Sequence, residues 1–258
     1  MVSCNETRIE EEPIVDTTPV LDEYIFRGIE AGKTVVLPGK NLDKTKWKSH
    51  NPFCATAEGG ILKPHHIGFT NIFTTSPESF NLWVLVTPKY TDYDLPHVCQ
   101  DSEVYALDYH WPYDGTPLWN SSPASISIYE SAKEKDMRST SSLQVYKTGN
   151  TRSPYVCYFF QDGKLTQAGT IISLSSLNNL PAFLNERYKV ISVDMQNYSA
   201  YFEHSRGENE TIDYVGGIQY FSQLGGILLA LLPYSGTKSL VDLNPMAEAL
   251  VEMFNEKE

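Results

Sequence analysis

The chain has 258 residues, of which 41% are hydrophobic and 20% charged, and its formal net charge is −12 at pH 7. This balance argues against nucleic acid as a partner, because affinity for a phosphate backbone comes largely from clustered lysine and arginine, and the sequence has no such cluster. The longest apolar stretch, residues 226–233, is far shorter than the roughly 20 residues that a membrane-spanning helix needs, so no membrane insertion is expected.

Acidic residues are concentrated at the two ends of the chain. Residues 1–27 hold seven acids against two arginines, and residues 242–258 hold five acids against one lysine. The body between these ends is nearly balanced and rich in Tyr, Ser, Thr and Phe. The pattern predicts an acidic flexible arm over residues 1–19, a β-rich globular domain over 20–241 and an acidic C-terminal segment over 242–258.

Short β-branched and aromatic runs, bounded by Pro, Gly, Asn and Asp, predict strands throughout the body. These runs are residues 33–37, 67–74, 80–87, 124–129, 143–147, 155–160, 170–174, 188–195 and 199–204. In residues 124–129 isoleucine alternates with serine, which favours a half-buried strand. Asp162-Gly163 supplies the positive φ angles of a tight hairpin turn. Residues 41–64 and 89–123 are expected to be long loops.

One helix is predicted, at the C-terminal end. Asn244 can cap it, Pro245 suits its first position, and the apolar residues that follow recur at spacings of three and four. The expected fold class is therefore all-β, a single antiparallel β-sandwich or barrel with long loops and one short amphipathic C-terminal helix.

No motif for catalysis, a cofactor or a metal is strong. The pairs His97-x-Cys99 and Asp108-x-His110 could each share an ion, since side chains two residues apart on a strand face the same side, but such spacing also occurs by chance. The four cysteines lack a C-x-x-C spacing and are interpreted as buried thiols, with a disulfide left open. We therefore expect no cofactor, no metal and no catalytic residue, although loop carboxylates leave a glycosidase open.

The loop over residues 90–119 is the predicted binding site, because rigid aromatic rings interleaved with polar groups suit both protein and sugar contacts. The residues expected to contact a partner are Tyr109, Trp111, Tyr113, Asp114 and Trp119. The alternative is that these rings pack together beneath the loop.

An acidic connector, a β-rich body with long aromatic loops and a charged exit together resemble the spike domains of small non-enveloped RNA-virus capsids, most of all the astrovirus spike. The resemblance covers residues 20–235 in overall character, and no family residue is carried over. It implies a homodimeric projection, assembled in the host cytoplasm and displayed on the virion surface, that attaches to a host receptor (protein or glycan) and is targeted by antibodies. The alternative is a secreted carbohydrate-binding or carbohydrate-active β-protein that uses the same loop.

Overall fold

The computed structural model describes residues 17–75, 79–98, 117–194, 196–197, 199–236 and 242–255. Over these ranges the chain is mostly β-strand, arranged in four sheets, with three short α-helices. The all-β class is therefore confirmed. No barrel closes among the described strands, because the largest sheet ends in two edge strands that do not pair with each other.

The described strands between residues 17 and 87 form three small sheets. These strands are β1 (Val20–Leu21), β2 (Ile25–Glu30), β3 (Val35–Val36), β4 (Gly39–Lys40), β5 (Trp47–Ser49), β6 (Ala55–Glu58), β7 (Ile61–Pro64), β8 (Gly68–Thr74) and β9 (Asn81–Thr87). A four-stranded sheet has the order β2-β9-β8-β5, a three-stranded sheet has the order β3-β7-β6, and β1 pairs with β4. The β2–β9 pair is parallel, in contrast to the antiparallel arrangement expected from the sequence.

These sheets share a hydrophobic core whose buried members all lie between residues 21 and 86. Burial alternates along β9, where Leu82, Val84 and Val86 point into this core. The four-stranded sheet therefore has one inner face on the core and one outer face. We call residues 17–87 the N-terminal sandwich.

The rest of the described chain is built on a seven-stranded antiparallel sheet with the order β10-β11-β12-β16-β15-β14-β13. The strands are β10 (Leu143–Lys147), β11 (Tyr155–Gln161), β12 (Lys164–Ser173), β13 (Lys189–Asp194), β14 (Ser199–Arg206), β15 (Thr211–Phe221) and β16 (Gly226–Pro233). The longest apolar stretch of the sequence is thus the central strand β16, which is buried along most of its length. A strand covered on both faces needs a continuous apolar run rather than an alternating one.

Three helices accompany this sheet: α1 (Pro123–Tyr129), α2 (Leu180–Asn185) and α3 (Asn244–Asn255). One face of the sheet packs in a core that includes residues of α1 and α2, and the other packs against α3. The predicted C-terminal helix is confirmed, and its own residues Met246, Ala247 and Leu250 are buried against the sheet. A Cβ on Gly169 of β12 would lie 2.5 Å from the Leu229 carbonyl oxygen, so the close packing there requires glycine.

The strand predicted over residues 124–129 is wrong, because this segment is helix α1. Ser122 caps the helix: its Oγ accepts a hydrogen bond from the Ser125 amide at 3.2 Å, and Pro123 occupies the first turn. Capping and proline placement favour a helix start at this point and outweigh the two-residue alternation.

The long loop predicted over residues 41–64 is also wrong, because it contains strands β5, β6 and β7. β6 and β7 form a hairpin through Gly59 and Gly60, whose φ angles are 54° and 75°. Alanine and lysine in these short strands weaken the sequence signal. The hairpin predicted at Asp162-Gly163 is confirmed, with φ angles of 50° and 72° and Gln161 paired to Lys164.

The predicted domain boundaries remain predictions. The described residues do divide their buried side chains among three clusters, and Cys54 and Cys157 are buried in different ones. Burial raises the pKa of the Cys157 thiol far above its ordinary value, so this side chain serves packing and not thiolate chemistry.

Candidate functional site

The outer face of the four-stranded sheet carries large apolar side chains where a solvent-facing sheet surface normally carries polar ones. We define the aromatic face as this surface. Its residues are Ile25, Arg27, Lys48, Phe69, Phe73, Asn81, Trp83 and Leu85. Strand pairing brings them to one side of the sheet, since Trp83 lies opposite Ile25 of β2 and Asn71 of β8.

Trp83 lies at the centre of the aromatic face. Its side chain is 46% exposed, although it belongs to an inner strand of a regular sheet, and neighbouring Ile25 is 49% exposed. The Trp83 ring stacks on Phe69 with a centroid distance of 5.5 Å and an interplanar angle of 12°. An exposed set of large apolar side chains on one surface is the kind of patch that marks an interaction site.

The sheet beneath Trp83 is held by side-chain hydrogen bonds. The buried Asn71 amide donates to the Leu82 carbonyl oxygen at 3.1 Å and also to Asn81 Oδ1. These bonds tie β8 to β9 on the same side of the sheet as the Trp83 ring. A surface fixed in this way loses little conformational entropy when a partner binds.

Polar and cationic groups surround the apolar centre. Arg27 extends the surface along β2, and Lys48 lies on the opposite edge strand, in register with Phe73. The His50 ring contacts Phe73 at a centroid distance of 4.6 Å. An apolar centre with a polar and charged margin is the usual anatomy of a protein–protein interface.

Of the five binding residues predicted from the sequence, one falls within the described residues. Trp119 is 6% exposed and belongs to the core on one face of the seven-stranded sheet. For this ring the structure favours the packing alternative over partner contact. Tyr109, Trp111, Tyr113 and Asp114 lie outside the described residues, so their predicted role stays a prediction.

The candidate metal ligands can be followed only in part. His97 is described, whereas Cys99, Asp108 and His110 are not. Within the ranges that the structure describes, no group of three or more His, Cys, Asp or Glu side chains is arranged to hold a metal ion.

The sequence predicts a strand over residues 80–87, which include Trp83, but does not mark Trp83 as a binding residue. The alternation Asn81-Leu82-Trp83-Val84-Leu85-Val86 does carry a signal, because it separates Trp83 from three aliphatic residues on the other face. It does not show which face is buried. That depends on the three-stranded sheet packed against the other side.

Comparisons of the chain with protein-family models, with curated proteins and with solved structures find no match. None of the described helices combines the length and the apolar character needed to cross a membrane. Function is therefore inferred from the site itself.

Proposed function

We propose that this chain is a non-enzymatic recognition module that binds a protein receptor through the aromatic face. The observation that carries the proposal is the half-exposed Trp83, stacked on Phe69 beside the exposed Ile25. Burying these side chains against a partner would remove apolar area from water, which is the main favourable term in protein association.

The composition of the aromatic face favours a protein over other partners. Tryptophan and arginine are the residue types most enriched among those that dominate interface energetics, and here Trp83 and Arg27 share one surface. Aliphatic Ile25 and Leu85 add contact area that suits protein side chains better than the hydroxyl-rich surface of a glycan. The cationic Arg27 and Lys48 favour a partner with acidic groups at its margin.

The proposal is compatible with a spike domain on a virion surface. In that role the aromatic face would point outward, where a host receptor and antibodies can reach it, and the chain would act as a homodimer. The support is the sequence character together with an exposed binding-type surface. A carbohydrate-binding β-protein is the competing function, and enzymatic treatment of the receptor-bearing cells distinguishes the two.

The test is binding of labelled protein to a panel of cell lines, with Trp83→Ala as the variant. Truncating a central interface aromatic commonly costs about 2 kcal/mol or more, so we expect a roughly 30-fold loss of affinity. Val36→Ala is the matched control, because Val36 is an exposed apolar residue on another sheet. It should bind as the unmodified protein does.

Treating the cells with protease or with glycosidases identifies the receptor class. A protein receptor predicts that protease abolishes binding and that glycosidases leave it unchanged. Binding that survives protease and is lost with glycosidase would favour the carbohydrate function. Unchanged binding by Trp83→Ala, or binding to none of the lines, would contradict the proposal.

A further inference from the structure

The two edges of the seven-stranded sheet differ in how they are covered. The outer edge of β10 is covered by residues 134–140, in which the Asp136 amide donates to the Val145 carbonyl oxygen at 2.8 Å. The other edge strand, β13, pairs with β14 alone among the described strands. Within the described part of the chain, its outer backbone groups therefore form an open edge, to which another strand can hydrogen-bond.

β13 carries apolar side chains where an open edge strand usually carries charged ones. Ile191 is 55% exposed and Val193 is 59% exposed. Soluble proteins usually protect such an edge with charged residues or proline, because an apolar open edge pairs with other chains. In β13 the two charged residues, Lys189 and Asp194, lie at the ends and leave the centre free of charge. This composition suits an edge that is covered by a partner.

A β-bulge in β13 determines which of its side chains share a face of the sheet. Val190 lies opposite Phe202 of β14, Val193 lies opposite Ala200, and the register shifts at Ile191 between these two pairs. Opposite residues in a sheet point to the same face, and Phe202 and Ala200 are two positions apart on one strand. Val190 and Val193 therefore share a face, which residues three apart in a regular strand do not.

The charged ends of β13 share the other face by the same pairing. Lys189 lies opposite Glu203 and Asp194 lies opposite Ser199, and these two residues of β14 are four positions apart. Without the bulge, Lys189 and Asp194 would point to opposite faces of the sheet. The bulge thus brings the cation and the carboxylate of β13 to one side.

This arrangement makes β13 complementary to itself in the antiparallel direction. A two-fold axis perpendicular to the sheet, passing between Ile191 and Ser192, would place Lys189 opposite Asp194 of a second copy. Val190 would lie opposite Val193 of that copy. Such an axis requires that opposite residues share a face, and the bulge meets this requirement. Because the symmetry forms each pair twice, the contact contains two ion pairs and two apolar pairs.

We propose that β13 is a homodimer interface, in which β13 of a second copy pairs antiparallel with it and joins two seven-stranded sheets into one. The second copy is favoured over an unrelated strand because the charges at the two ends of β13 match when the strand is reversed against itself. The inference goes beyond the proposed receptor binding, because it uses a sheet edge that is separate from the aromatic face.

Contacts within the chain hold the charged side chains at the ends of β13. Lys189 Nζ lies 3.1 Å from Glu203 Oε1, and the lysine side chain is 58% exposed. The Asp194 carboxylate accepts from the Gln196 and Asn197 amides at 2.9 and 3.2 Å. In the dimer, Lys189 would lie between Glu203 of its own chain and Asp194 of the second copy. Side chains that are already held lose little conformational entropy on pairing.

The test is sedimentation of the full chain over about 1–300 µM, where we expect a dimer with a dissociation constant of about 10 µM, because pairing of two short strands gives a small interface. Val193→Lys places a charge at the centre of the interface and should raise this constant about tenfold or more. Val36→Lys is the matched control, because Val36 is an exposed valine on a strand of the N-terminal sandwich. It should leave the dimer unchanged.

Charge reversal tests the register of the pairing. Lys189→Glu and Asp194→Lys each place like charges opposite one another at two positions, so each variant should self-associate about tenfold more weakly. An equimolar mixture of the two variants has opposite charges in both pairs. It should form mixed dimers with a dissociation constant within about threefold of that of the unmodified protein, measured with one variant fluorescently labelled. Recovery in the mixture also shows that both variants are folded.

Three results would overturn the interface. They are a monomer over the whole concentration range, a dimer that Val193→Lys does not weaken, and a mixture of the charge variants that associates no better than either variant alone. Trp83→Ala should dimerise as the unmodified protein does, whatever its effect on receptor binding. Loss of the dimer in that variant would place the interface on the aromatic face and would also overturn the proposal.

Discussion

The seven-stranded sheet and the four-stranded sheet differ in how their two faces are used. Hydrophobic clusters cover both faces of the seven-stranded sheet, and the ring of Trp119 is buried in one of them. One face of the four-stranded sheet is covered by a hydrophobic cluster, and Trp83 is half exposed on the other face. The same residue type is thus buried in a core beside one sheet and half exposed on the surface of the other. Aromatic content alone therefore does not identify a binding site.

The largest expected effect is that of Trp119→Ala on stability. Removing a buried aromatic ring leaves a cavity, and such truncations cost about 3–5 kcal/mol. Chemical denaturation of the variant beside the unmodified protein measures this difference. A loss below about 1 kcal/mol would mean that Trp119 is not a core residue. It would then again be a candidate for contact with a partner.

Glu186→Gln should have the next largest effect. It tests the contact between the segment after α2 and the segment after β9, and we call this contact the seam. The buried Glu186 carboxylate accepts from the Lys89 and Tyr90 amides at 3.0 and 2.9 Å, just beyond β9, and from Arg187 Nη1 at 2.7 Å. The neutral amide weakens these bonds and leaves buried donors unsatisfied, at a cost of about 1–3 kcal/mol.

The matched control is Glu134→Gln, because Glu134 pairs with Lys147 at the surface. It should change the free energy of unfolding by less than about 0.5 kcal/mol. Equal effects of the two substitutions would show that the Glu186 contacts do not stabilise the seam.

Much of the seven-stranded sheet could be predicted because its signals are local. The strand predicted over residues 143–147 is β10 as observed, and the Asp162-Gly163 turn connects β11 to β12. The sequence alone does not identify strand β16, because a continuous apolar run fits a buried strand and a buried helix equally well. Its place between β12 and β15 depends on pairing with strands distant in sequence.

The candidate site could not be predicted for a different reason. The sequence favoured an aromatic-rich loop, whereas the surface that the structure exposes lies on a regular sheet. Trp83 and Phe69 are on the same side of adjacent strands, and their exposure depends on which face packs against the three-stranded sheet.

Trp83→Ala should have a much smaller effect on stability than Trp119→Ala. The ring is half exposed, so its removal leaves no closed cavity, and the cost should lie near the roughly 0.5 kcal/mol that is usual for surface substitutions. Thermal unfolding of the two variants under the same conditions compares them directly. If Trp83→Ala lowers the melting temperature as far as Trp119→Ala does, the aromatic face is a structural feature and the proposed binding surface is wrong.

The smallest expected effect concerns Asp136, beside the edge strand β10. Arg138 donates to its carboxylate through Nε at 3.0 Å and Nη2 at 2.8 Å, and these hydrogen bonds are the main cause that lowers the pKa of Asp136. A carboxylate with a lowered pKa in the folded state stabilises the protein above its ordinary pKa, and that contribution is lost as the pH falls through and below this value. Arg138 is partly exposed, so screening limits the effect to no more than about 1 kcal/mol. Arg138→Gln should therefore be slightly less stable than the unmodified protein at pH 7, and the difference should shrink as the pH approaches 3.

Arg138 also lies over the Phe254 ring of α3 at 4.8 Å, and loss of that contact does not depend on the protonation of Asp136. Urea titrations of both proteins at several pH values separate the two contributions: a gap that shrinks with acid reports the ion pair, whereas a constant gap would assign the whole effect of Arg138 to its packing on α3.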